Sequence, residues 1–117
     1  VKKERLTPPE TQRRLALLPG WKIYGVGILW RQFVMKDFLA CVALIDGAAR
    51  AAQTAGHHPD VHLTDFRNLV FELSTHDAGG LTAADFALAE KIDALPKRLQ
   101  KENPHDSKSL GSLAGRA

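Results

Sequence analysis

Three of the five histidines fall in two short segments, His57-His58-Pro59-Asp60 and Ser74-Thr75-His76-Asp77-Ala78-Gly79-Gly80-Leu81-Thr82. Imidazole is the side chain whose ordinary pKa lies near neutrality, so a cluster of such rings can give and take protons at physiological pH. Metal ligation is the competing use. A zinc site built from His57, His62 and His76 would place neighbouring histidines on an irregular segment, which does not reproduce the usual ligand spacing, so no metal is expected. The structural alternatives are plainer. His57 and His58 can be loop residues after a glycine cap, Asp85 can complete a helix-capping arrangement with Thr82, and Phe66, Phe71 and Phe86 can be core.

The elements that must position these rings are legible in outline. Thr7-Pro8-Pro9-Glu10 reads as a helix start, with Thr7 as cap, proline in the first turn and Glu10 where a capping box needs its acid. The helix runs to about Leu18, and Pro19-Gly20 ends it. Trp21 to Val34 is rich in aromatic and β-branched residues and broken by Gly25 and Gly27, which predicts two strands and a tight connection. From Lys36 to Ala55 the spacing is helical, with Phe38, Val42, Ile45, Ala49 and Ala52 on one stripe, the candidate core face, and Lys36, Asp46, Arg50 and Gln53 largely off it. Gly56 supplies the left-handed cap. A short extended piece around Val61 to Leu63 follows, and then Leu69 to Thr75, where Leu69, Phe71 and Leu73 alternate with more polar positions. Gly79-Gly80 turns the chain. Thr82 to Asp85 opens a last helix, with Phe86, Leu88, Ala89, Ile92 and Leu95 supplying the candidate inward positions, and Pro96 closes it.

After a leading helix the order is therefore β-β-α-β-β-α. Short links between neighbouring strands argue for an α+β fold, a four-stranded antiparallel sheet with helices on one face. At 117 residues and 44% apolar content, one domain with a real core is expected. Residues 1–19 form an N-terminal helix of the same domain, 20–95 the core, and 96–117 a basic, flexible tail. Residues 1–95 carry 11 basic and 11 acidic side chains, so the net charge of +3 comes entirely from that tail. With no basic stripe interleaved with aromatics in the body, no nucleic-acid partner is expected. The N-terminal residues lack the apolar run of a secretory signal, and the apolar stretches read as too short to span a bilayer. The single cysteine, Cys41, permits no internal disulfide, and its apolar neighbours suggest a buried thiol. These features predict a cytoplasmic protein.

The spaced motifs His57-His58-Pro59-Asp60, Ser74-Thr75-His76, Gly79-Gly80-Leu81-Thr82 and Asp85-Phe86-Ala87-Leu88-Ala89, with Gly20-Trp21 and Phe33 to Phe38 upstream, resemble the pterin-4a-carbinolamine dehydratase family. The family pattern is a charged residue, three residues, His-His-Pro, five or six residues, an aromatic, nine residues, His, and a downstream Asp. Phe66, His76 and Asp85 match it, with intervals of six, nine and eight residues. The first position does not match, because Gln53 stands where the family places a residue such as Glu.

The resemblance implies dehydration of a 4a-hydroxytetrahydropterin, with His57 and His76 as proton carriers. Substrate-binding roles fall to His58, Ser74, Thr75 and Asp85, with no metal or organic cofactor. It also implies a homodimer or dimer of dimers. A second likeness lies in the six-residue gap and the wording His58-Pro59-Asp60-Val61-His62-Leu63, with Asn68 downstream. These resemble the plant and carboxysome branch, whose members assist assembly of ribulose-bisphosphate carboxylase (RuBisCO). Together with Gln53, this tips the expectation toward a RuBisCO assembly factor with a degenerate, vestigial site, cytoplasmic and associated with the carboxysome. The alternative is an active 4a-hydroxytetrahydrobiopterin dehydratase.

Overall fold

The computed structural model describes residues 4–95. The expected stop at Pro96 and the basic tail lie outside the described residues. In chain order the elements are α1 (Pro8–Leu15), β1 (Lys22–Tyr24), β2 (Ile28–Val34), α2 (Phe38–Ala55), β3 (Asp60–Thr64), β4 (Asn68–Leu73), a 3-10 turn (His76–Ala78) and α3 (Ala83–Asp93). The four strands form one antiparallel sheet in the order β1-β2-β4-β3. The second hairpin thus inserts β4 beside β2, and β1 and β3 become the edges.

Register decides what each face carries. Leu29 pairs with Leu73, Arg31 with Phe71 and Phe33 with Leu69, so these side chains share one face of the pleat. The apolar ones join Ala40, Cys41, Leu44, Ala48 and Ala52 of α2 and Phe86, Leu88, Ala89 and Ile92 of α3 in a single buried core. Two rings, Phe33 and Phe71, meet edge to face with centroids 6.0 Å apart. Arg31 also faces this layer, where it bonds Asp93 of α3 at 2.8 Å, and the Trp21 indole donates to the same carboxylate at 3.0 Å.

Helix α2 presents a different face from the expected one. Its buried positions are Ala40, Cys41, Leu44, Ala48 and Ala52, whereas Phe38 is 52% and Val42 45% exposed. The helix is apolar on more than one side, so the periodic stripe does not decide which side packs. Close approach to the sheet selects the side with the smaller residues. Asp37 caps its start, accepting from the Ala40 amide at 2.8 Å, and Gly56 ends it at φ 66°. By length and composition alone α2 is also long and apolar enough to cross a membrane, against the sequence expectation. Its small-residue face nevertheless belongs to the core.

Helix α1 stops at Leu15 rather than Leu18. Tight bonds from Leu17 to Arg14 and from Leu18 to Leu15 close its end, and Leu18 turns into the core. Thr7 accepts from the Glu10 amide, but the Glu10 carboxylate does not return to the cap. It pairs with Arg13 and Arg14, which hold its pKa down at about 2. On the sheet face away from the core, Tyr24 donates to Glu72 across β2, and Glu72 also meets His62 of β3 at 3.1 Å. The Tyr24 hydroxyl is the main reason the Glu72 carboxyl sits below its ordinary range, with His62 adding to it against the opposing effect of burial.

Candidate active site

The end of α2 and the start of α3 converge. Gly56 turns the chain so that His57, 7% exposed, points inward, where its Nε2 lies 2.6 Å from Oδ1 of Asp85. Asp85 is fully buried. A carboxylate out of water needs donors around it, and the second oxygen, Oδ2, receives them from two further segments. The Thr75 hydroxyl donates at 2.8 Å and the Thr82 backbone N–H at 2.9 Å. Thr82 and Asp85 form the capping box expected from their spacing. The hydroxyls of Thr75 and Thr82 are themselves 3.0 Å apart.

Asp85 therefore closes the cap with one oxygen and meets His57 with the other. Nε2 is the ring nitrogen that faces Oδ1. His58 points the other way and is exposed; its Nε2 meets Oε1 of Gln53, one helical turn earlier, at 2.7 Å. The amide oxygen thus occupies the acceptor position that a carboxylate would take. His76 opens the 3-10 turn immediately after Thr75, exposed, and Ser74 is half-buried between β4 and Thr75. The structure places His57, Thr75 and Asp85 in one bonded cluster, His58 with Gln53 in a second, and His76 at the turn that adjoins the first.

Sequence reasoning left Thr82 outside the candidate residues and assigned it only to the cap. Its position three residues before Asp85 was the available signal. Phe66 differs from the core expectation: it is 43% exposed, at φ 51° in the β3–β4 connection, while Phe71 and Phe86 are buried. Cys41 is buried as expected, and removal from water pushes its thiol pKa up, the nearby Asp37 adding to the effect.

The N-terminal segment braces this region. Leu6 N–H donates to the Leu81 carbonyl at 2.9 Å, and Arg5 bridges to Thr82. The Arg5 side chain lies where a Cβ on Gly80 would sit, 2.6 Å from its Cδ, so the second glycine of the turn makes room for this strap.

Comparison with known proteins shows the family and the fold. The profile of the family described as Pterin 4 alpha carbinolamine dehydratase matches residues 4–95. A protein of Acidobacterium capsulatum named "Putative pterin-4-alpha-carbinolamine dehydratase" is 43% identical over 91 residues, 78% of this chain and 97% of its own. A protein of the same name from Nocardia farcinica is 43% identical over 94 residues, covering 80% and 97%. Among solved structures, a transcriptional coactivator/pterin dehydratase from Brucella melitensis superposes with a TM-score of 0.73 at 32% identity, over 78% of this chain and 97% of that one. A pterin dehydratase-like protein described as a RuBisCO assembly factor in the alpha-carboxysome superposes with a TM-score of 0.55 at 23% identity, over 65% and 88%. The second likeness is one of fold.

Proposed function

The chain belongs to the pterin 4 alpha carbinolamine dehydratase family, and from that premise we propose that it dehydrates a 4a-hydroxytetrahydropterin. The observation that carries this reading is the 2.6 Å contact between His57 Nε2 and the buried Asp85 carboxylate. In the reaction the C4a–O bond breaks as a proton reaches the departing hydroxyl, and the N5 proton leaves. Water and the quinonoid dihydropterin result. One acid and one base suffice, and two imidazoles can fill both roles.

In this reading His57 and His76 carry the protons. Asp85 holds the His57 ring in one orientation and one tautomer, which lowers the cost of presenting it to the substrate. His58, steadied by Gln53, and Ser74 are assigned to the substrate side. The neutral Gln53 keeps the hydrogen bond and lacks the charge, so it weakens this contact without abolishing it. The test is dehydration of freshly generated 4a-hydroxytetrahydropterin by the purified protein, beside His57→Ala and His76→Ala. A histidine-dependent rate supports the proposal; a wild-type rate equal to buffer rejects it.

A second reading, RuBisCO assembly with a vestigial site and carboxysome association, draws on Gln53 at the family's charged position. It predicts more assembled carboxylase on co-expression, unaffected by His57→Ala and His76→Ala. An unchanged yield rejects it.

A further inference from the structure

We propose that Thr75 is a positioning residue that acts through Asp85 on His57 rather than a group that binds substrate; this rests on the dehydratase reading above. Thr75 is buried at 9% exposure, and its hydroxyl meets Asp85 Oδ2 at 2.8 Å and Thr82 Oγ1 at 3.0 Å. A hydroxyl has one hydrogen to give. Asp85, as a carboxylate, only accepts, so the Thr75 hydrogen goes to Oδ2. The Thr82 hydroxyl donates toward the same oxygen at 3.4 Å and lies 3.0 Å from Thr75 Oγ1.

Oδ2 therefore faces donors supplied by the fold alone, the Thr75 hydroxyl and the Thr82 amide, with the more distant Thr82 hydroxyl beside them. Oδ2 is saturated by the fold, and Oδ1 remains for His57. Rotation of the carboxylate would break the Thr75 bond and the capping box together, so the oxygen facing His57 is set by two contacts distant from the ring. Thr75 also sits at the junction of β4 and the 3-10 turn that begins with His76. One hydroxyl consequently ties the Asp85–His57 pair to the segment carrying the second proton carrier.

Thr75→Val removes the hydroxyl at nearly constant shape, and Thr75→Ser restores it without the methyl group. In wild type, the 15N spectrum of histidine-labelled protein, at a pH where the His57 ring is neutral, shows the Nε2–H tautomer with a slowly exchanging Nε2 proton. Thr75→Val is expected to mix the tautomers and broaden that proton signal, with kcat falling about tenfold and KM unchanged. Thr75→Ser is expected to recover both. A rise in KM at constant kcat would assign Thr75 to substrate binding and overturn the proposal, as would an unaltered His57 spectrum. If Thr75→Val does not fold, Thr82→Val, which keeps the backbone donor, is read on the same spectrum; it is expected to shift His57 in the same direction, and no shift overturns the proposal. If wild type lacks dehydratase activity, the His57 spectrum still decides the positioning claim, so that result removes the reading and not the geometry.

Discussion

His57 Nε2 lies 2.6 Å from Oδ1 of Asp85, while Oδ2 of the same carboxylate closes the capping box at the head of α3. The local helix start and the contact with the His57 ring therefore share one buried side chain. Asp85→Ala should leave His57, the Thr75 hydroxyl and the Thr82 amide without their acceptor, at a cost of about 2–4 kcal/mol in denaturant unfolding. Asp85→Asn keeps an acceptor oxygen but adds a donor, so it should fold more stably than Asp85→Ala while losing about 10²-fold in rate. Equal stability of Asp85→Ala and wild type would contradict the network.

Gln53 supports His58 through a neutral bond of 2.7 Å. Gln53→Glu makes that bond charge-assisted and should raise kcat/KM by up to about tenfold. Gln53→Ala should lower it. A steady-state assay in which neither variant differs from wild type would remove the Gln53–His58 pair from the site.

Acid sensitivity on the far face of the sheet follows from Tyr24 and Glu72. The Tyr24 hydroxyl, and secondarily His62, hold the Glu72 carboxyl below its ordinary value, against the opposing effect of burial. A carboxyl depressed in the folded state contributes stability above its unfolded value of 4.5 and loses it as the pH falls through the folded value. Tyr24→Phe should therefore be less stable than wild type at neutral pH, and the difference should shrink below that window. NMR titration of the Glu72 carboxyl checks the cause directly, and its midpoint should move upward in the variant.

The Cys41 thiol is fully buried, with its pKa raised by loss of water. It should resist a thiol reagent in the native protein at neutral pH and react in denaturant. A native reaction as fast as that of a free thiol would mean that α2 opens locally. Cys41→Ala removes a small buried group against the sheet and should cost about 1 kcal/mol.

The capping box of Thr82 and Asp85, the Gly56 cap and the alternation of Leu69, Phe71 and Leu73 were all readable, because each is set within a few residues by hydrogen-bond reach or by the pleat. The inward stripe of α2 was not. Several of its sides are apolar, and only the sheet, by admitting Ala40, Cys41, Leu44, Ala48 and Ala52, distinguished one. Similarly, Glu10 had the spacing for a cap, but Arg13 and Arg14 on its own helix offered opposite charge.

The histidines and the elements around them were thus determined by the sequence alone, since residue type and short-range spacing specify both the available chemistry and the local backbone. Which groups meet was decided by tertiary structure. His57 and Asp85 are 28 residues apart, and Tyr24 reaches Glu72 only because β4 inserts beside β2. Contacts at that separation depend on strand order and on the packing of α3 against the core, neither of which is encoded in any one segment.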